Sequence, residues 1–172
     1  MIMVGSTYAG IGKEPRETEY IQAAAKQVPV FMVNGYIQGE NIFCFYGDDF
    51  QGAYDVTTAL IRRGKKRILF LSDSHTYSAE QKLKGYEAAL SDAGYPYLGD
   101  FKFYTKNDIH YIQDILLAHR TLEFDSVLAC NDSLGVGALK YAKARGIKVP
   151  EELSVTGYNN SGMAVCSEPE LT

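Results

Sequence analysis

Two apolar rhythms alternate along the chain. Short apolar runs, rich in β-branched and aromatic residues, fall at Met1–Val4, Pro29–Val33, Ile42–Tyr46, Arg67–Leu71, Phe101–Tyr104, Asp125–Ala129 and Leu153–Gly157. Their length and their Gly, Pro, Asn, Asp and Ser neighbours predict strands. Between them, apolar positions return every three or four residues, the spacing of one helix face. That spacing predicts helices over Pro15–Lys26, from Asp49 to Arg63, from Ser78 to near Gly94, from Asn107 through Leu116, and over Asp132–Arg145. Asp49 reads as the cap of the second helix, with Gly64 just past its end. Ser78-Ala79-Glu80-Gln81 has the pattern of a capping box. Ser161–Thr172 reads as loop. Strands that alternate with helices and are apolar on both faces indicate a parallel α/β sheet.

Composition narrows this further. The 172 residues suit one domain or two small lobes, and 46% hydrophobic with 22% charged residues is enough for a packed core. The net charge of −4 and pI of about 5.4 oppose nucleic-acid binding by this chain, because phosphate neutralisation needs clustered Lys and Arg. No apolar run approaches the roughly 20 residues of a membrane span, and Met1–Val4 is too short for a signal peptide. The densest basic run, Arg62 to Arg67, straddles a helix end, where cations are favoured. It reads as a solvated face and as the division between two lobes, 1–64 and 65–172. Cys44, Cys130 and Cys166 are odd in number and lack CxxC spacing, so they read as buried free thiols in a reducing cytoplasm, not as a disulfide or zinc framework.

In parallel α/β sheets ligands gather at the carboxyl ends of strands. Here those ends carry Ser6-Thr7-Tyr8, Asp48-Asp49 and Gln51, Ser72-Asp73-Ser74-His75, Asn131-Asp132, and Asn159-Asn160-Ser161. Short polar side chains of this kind either cap helices or bond a polyhydroxylated ligand. Their convergence on one edge favours a polar small-molecule site. Enzyme signatures fail. Gly5–Lys13 lacks the first Gly of a phosphate loop, and Glu14 follows its Lys. His75, His110 and His119 show no metal spacing, and neighbouring Asp48 and Asp49 point apart in an extended segment. Asp73 with His75 is a conceivable acid–base pair, but no nucleophile stands at a recognisable spacing.

Two long stretches say more. Residues 124–140 (FDSVLACNDSLGVGALK) and 145–160 (RGIKVPEELSVTGYNN) closely resemble the effector-binding core of lactose-repressor-type (LacI/GalR) transcriptional regulators. Val28–Asn34, Gly52–Tyr54, Gly64–Ile68 and Pro169–Thr172 extend the resemblance over the whole chain. It implies a type I periplasmic-binding-protein-like fold: parallel sheets flanked by helices, in two lobes with the ligand between them. It also implies that the N-terminal lobe is incomplete, that Thr172 lies just before a crossing between lobes, and that the DNA-binding helix-turn-helix is absent. On this reading the chain is a fragment of a cytoplasmic regulator. It would sense a sugar or sugar derivative, with a purine as another possible effector. It would need no cofactor or metal, catalyse nothing, dimerise in the intact protein, and reach DNA only through the missing head.

The resemblance places ligand contacts on Asp49, Gln51, Ser78, Lys82, Asn131 and Asn159. Lys82 stands where the family usually has an arginine, and an ammonium cannot form a planar fork. Asn159 stands where an aspartate is common, which exchanges a charge for added donors. Phe103 or Tyr104 would supply a ring-stacking surface. Two rival readings are an exported sugar receptor of the same fold and an α/β enzyme using Asp73 and His75. Exposed edges and apolar faces are expected on the incomplete lobe, and with them self-association.

Overall fold

The computed structural model describes residues 1–5, 15–95, 101–119 and 123–171. The residues Ser6-Thr7-Tyr8, most of the Gly5–Lys13 stretch, and Thr172 lie outside the described residues. Every strand pairing among them is parallel, and the strands form two sheets. The first sheet has the order β1-β2-β3, from Ile2–Val4, Val30–Val33 and Ile42–Phe45. The second has the order β5-β4-β6-β7, from Lys102–Tyr104, Ile68–Ser72, Ser126–Ala129 and Ser154–Thr156. The helices are α1 (Pro15–Ala25), α2 (Asp49–Arg62), α3 (Tyr77–Asp92), α4 (Ile109–Ala118), α5 (Asp132–Arg145) and the short α6 (Gly162–Cys166).

The second sheet is covered on both faces. From β4 the chain runs through α3 to β5 on one side, then through α4 back past β4 to β6 on the other. Right-handed crossovers therefore put α3 on one face and α4 and α5 on the opposite one. α2 packs along α3, and α5 packs on α4. Every residue of β4, β6 and β7 is accordingly buried. Ile68, Leu69, Phe70, Leu71 and Val127 are all completely inaccessible. The α2–α3 contact is close enough that a Cβ on Gly85 would run into the Phe50 carbonyl.

This contact ties α2 to the second sheet. Ala53 and Leu60 of α2 belong to the same apolar cluster as β4, β6 and α5. Along the chain the smaller cluster ends at Cys44 and the larger one begins at Ala53.

Among the described residues the first sheet is covered on one face only. Val30 and Met32 alternate inward against Ile21 and Ala25 of α1, and Ile37 closes the cluster. The opposite face presents Ile2 and Val4, 72% and 64% exposed, beside Phe31, Phe43 and Phe45. The register pairs Ile2 with Phe31 and Phe31 with Phe43, so these side chains form one stripe. Phe31 stacks on Phe43 with ring centroids 5.3 Å apart and on Phe45 at 6.2 Å.

Helix starts differ from the sequence reading by one or two residues. Asp48, not Asp49, caps α2, accepting from the Gln51 N–H at 2.9 Å. Thr76, not Ser78, caps α3, accepting from Ala79 N–H. Asp108, not Asn107, caps α4, accepting from the N–H groups of His110 and Tyr111. These two bonds hold its carboxyl below the usual carboxylate range. Gly64 and Gly146 follow α2 and α5 with φ of +84° and +68°, the left-handed conformation that ends a helix cheaply in glycine. α6 falls where loop was expected. Cys44 is half-buried, Cys130 buried and Cys166 exposed, so burial of the thiols is not general.

Candidate functional site

The strand order of the second sheet reverses beside β4, with β5 on one side and β6 on the other. Loops leaving β4 and β6 diverge there and open a crevice at the carboxyl edge. The carboxyl ends of β2 and β3 face the same space. Together they enclose a cavity of about 540 Å³. Asn34 and Tyr46 line it from the first sheet; Asp73, Ser74, Asn131, Tyr158 and Asn159 line it from the second. Asp49 at the start of α2, and Thr76, Tyr77, Ser78 and Lys82 at the start of α3, complete it with Cys130.

The floor is organised around one buried cation. Lys82 is 7% exposed. Its ammonium donates to the Cys130 carbonyl at 3.1 Å, lies 3.8 Å from Asp49 Oδ1, and sits 3.6 Å from the centre of the Tyr158 ring. A buried ammonium is tolerated only with such compensation from a carboxylate, a carbonyl and a ring face. The Tyr158 hydroxyl donates to the same Asp49 oxygen at 2.8 Å. Burial, followed by this bond to an anion, pushes the Tyr158 phenol well above its ordinary value. Burial also pushes the Cys130 thiol up to about 12, so it stays protonated and unreactive at neutral pH.

The Tyr158 loop is itself pinned. Asp132, 3% exposed, accepts the Tyr158 N–H on Oδ1 at 2.8 Å and the Ser161 N–H on Oδ2 at 2.6 Å. A Cβ on Gly157 would collide with the same carboxylate, which is why glycine stands there. Asn159, at φ +89°, turns over this anchor to the cavity rim.

Asn131 does two things at once. Its Oδ1 caps α5, accepting Leu134 N–H at 3.1 Å, and its Nδ2 donates to Asp73 Oδ2 at 3.0 Å. Among the described residues the second amide hydrogen and the other Asp73 oxygen take no hydrogen bond, and both residues line the cavity. Capping and ligand contact are therefore compatible for this residue.

Five of the six residues named from the sequence line the cavity: Asp49, Ser78, Lys82, Asn131 and Asn159. Gln51 does not; it lies exposed on α2 and donates to Asp55 at 2.8 Å. Phe103 packs on His119 with centroids 4.8 Å apart, and Tyr104 stands beside the main cavity instead of in it. His75 turns to Glu80 at 2.9 Å and stacks on Tyr104 while Asp73 takes the Asn131 amide, so the Asp73–His75 pair does not form. Asn34, Tyr46, Tyr77 and Tyr158 were not singled out as ligand contacts. Asn34 at least carried a signal, as the polar residue ending an apolar strand.

Three tyrosines close one side of the cleft. Tyr36 stacks on Tyr77 at 5.1 Å, and Tyr46 meets both edge-on at 5.9 and 5.3 Å. Tyr36 and Tyr46 come from the first sheet's connections and Tyr77 opens α3, so the cluster joins the two units.

A polar cleft at the carboxyl edges of two parallel sheets defines a periplasmic-binding-protein-like ligand domain. The family described as "Periplasmic binding protein-like domain" matches residues 57–172. An HTH-type transcriptional regulator of Lachnoclostridium phytofermentans is 37% identical over 174 residues, covering 100% of this chain and 52% of that protein. The HTH-type transcriptional regulator GntR of Escherichia coli is 31% identical over 128 residues, covering 72% of this chain and 38% of its own length. The chain belongs to this periplasmic-binding-protein-like family, and the curated relatives it matches are HTH-type transcriptional regulators. It spans about half the length of the curated relatives it matches. Among solved structures, GntR of Chromobacterium violaceum superposes with a TM-score of 0.79 at 29% identity, over 99% of this chain and 61% of that one. A sugar-binding LacI-family regulator of Escherichia coli, complexed with phosphate, shares the fold with a TM-score of 0.80 at 24% identity, over 99% and 61% of the two chains. No helix among the described residues is long and apolar enough to cross a membrane.

Proposed function

We propose that this chain is the effector-sensing part of a cytoplasmic, dimeric DNA-binding regulator, and that its effector is a sugar or sugar derivative. The observation that carries the reading is the pairing of Asn131 and Asp73 at the switch point of the second sheet. It offers an amide hydrogen and a carboxylate oxygen to vicinal hydroxyls. Asp49, Ser78, Lys82 and Asn159 would complete the contacts around the ring. DNA contact would be made by a helix-turn-helix head in a separate part of the polypeptide, in keeping with the acidic charge of this chain.

Asn34 and Tyr46 reach the cavity from one unit, and Asp73, Asn131 and Tyr158 from the other. A ligand touching both would favour the closed arrangement over the open one. That is a population shift, and it would change how paired DNA-binding heads sit. The chain itself carries out no chemistry in this reading.

The test is thermal melting of the chain against a panel of neutral sugars, sugar derivatives and purines. At saturating ligand the melting temperature rises with at least one carbohydrate, because a ligand that binds only the native state stabilises it. Asn131→Ala removes most of that rise. A response confined to purines would replace the sugar, and no response to any compound would remove the sensor reading.

A further inference from the structure

Beside the main cavity lies a second chamber of about 350 Å³. Asp73 and Ser74 line both, so the two spaces meet at that loop. The character of the walls changes across the junction. On the main side they are amide, carboxylate, hydroxyl and ammonium. On the far side they are rings: Tyr104, at 42% exposure, stacks on His75 with centroids 4.2 Å apart, and Tyr111 stands 41% exposed across the chamber. The Lys106 ammonium lies 5.0 Å from the Tyr111 ring. The Thr105 hydroxyl, also of this wall, is buried without a hydrogen-bond partner.

Resting on the sugar reading above, we infer that the effector has two units and that the second chamber receives the second of them. The polar cavity takes one carbohydrate ring by its hydroxyls. The junction at Asp73 and Ser74 is where the glycosidic link passes. The second ring lays its apolar C–H face on Tyr104 and Tyr111, with the Lys106 ammonium available to its hydroxyls. The ligand class is a disaccharide or a glycoside with a ring-shaped second unit. A monosaccharide would fill only the polar half. Of the two rings the sequence offered for stacking, Phe103 and Tyr104, Tyr104 belongs to the neighbouring chamber and serves length selection.

The experiment is calorimetric titration of the chain with matched probes: glucose against cellobiose and maltose, galactose against lactose and melibiose, xylose against xylobiose. At least one disaccharide is expected to bind tenfold or more tightly than its monosaccharide. Tyr104→Ala, a change at a half-exposed ring that leaves the core intact, should bring the disaccharide to within about threefold of the monosaccharide. It should leave monosaccharide affinity unchanged. A monosaccharide that binds as tightly as every disaccharide would overturn the two-unit inference and keep the sugar reading. So would a disaccharide advantage that survives both Tyr104→Ala and Tyr111→Ala. If no carbohydrate in an extended panel binds, the sugar reading falls and this inference with it.

Discussion

The two sheets of this chain are built from the same unit, a parallel strand leading into a helix, yet they differ in how they are covered. The second sheet has helices on both faces, and its central strands are inaccessible along their whole length. The first has α1 on one face and a bare stripe of Ile2, Val4, Phe31, Phe43 and Phe45 on the other. A parallel sheet draws its stability from apolar burial on both sides. The comparison teaches that the second unit supplies the rigid half of the cleft. The first supplies a few contacts, through Asn34 and Tyr46, on a much thinner core.

The largest expected effect is the contrast between the two cores. Phe70→Ala should cost about 3–5 kcal/mol, the usual penalty for emptying a core site of that size, and should destabilise the second unit as a whole. Met32→Ala opens a cavity in the smaller cluster and should leave the second unit's unfolding transition nearly in place. Chemical denaturation followed by hydrogen exchange in β4 and β6 separates the two. A joint collapse in both variants would make the units one cooperative block.

Next in size is the anchor of the Tyr158 loop. Asp132→Ala leaves the half-buried N–H groups of Tyr158 and Ser161 without their carboxylate, and about 1–2 kcal/mol of stability should be lost. Urea titration measures it. A loss below about 0.5 kcal/mol would show that the loop holds its place without the carboxylate.

A smaller effect is expected from alkali. Tyr158 and Cys130 hold their protons in the folded chain above their ordinary values of 10.0 and 9.0. The unfolded chain loses these protons first, so their contribution to stability is complete below about pH 9 and declines as pH rises past it. Tyr158→Phe should flatten part of that decline in a melting-temperature series from about pH 7 to 11. An unchanged slope would assign the alkaline loss to other groups.

The smallest effect on stability, and the most visible one on behaviour, belongs to the bare stripe. Phe43→Thr should change stability by about 0.5 kcal/mol or less, since the ring is half exposed. It should also reduce self-association in sedimentation experiments. A wild-type chain that sediments as a monomer at high concentration would mean that the stripe is not adhesive.

Much of this architecture could be read from the sequence, because strand runs and helix periods are local signals. The strands and the longer helices all fall where their apolar rhythm places them. Helix starts slipped because each is preceded by several residues able to cap: Asp48 and Asp49, Thr76 and Ser78, Asn107 and Asp108 differ only in the geometry that tertiary packing selects. α6 escaped because five residues are too few to show a period. The packing of α2 on α3 was not legible, because the partner of α2 is chosen by a non-local fit at Gly85.

The site divides in the same way. Asn131 and Asn159 sit in distinctive stretches, and the cavity includes both. Gln51 was misplaced because two residues along a helix turn the side chain to a different face from Asp49. Tyr158 gave no sign of its role because its partners, Asp49 and Lys82, come from other elements.

The central claim is that the cleft between the two units is where the effector binds. Hydrogen–deuterium exchange of the chain, with and without a concentrated mixture of neutral mono- and disaccharides, tests it whichever sugar in the mixture is the one that binds. The account expects slowed exchange in the segments around residues 45–49, 72–82, 130–133 and 157–161, contributed by both units, joined by 104–111 when the bound sugar is a disaccharide, with little change elsewhere. Protection confined to one unit, to the bare stripe of the first sheet, or absent throughout would contradict it.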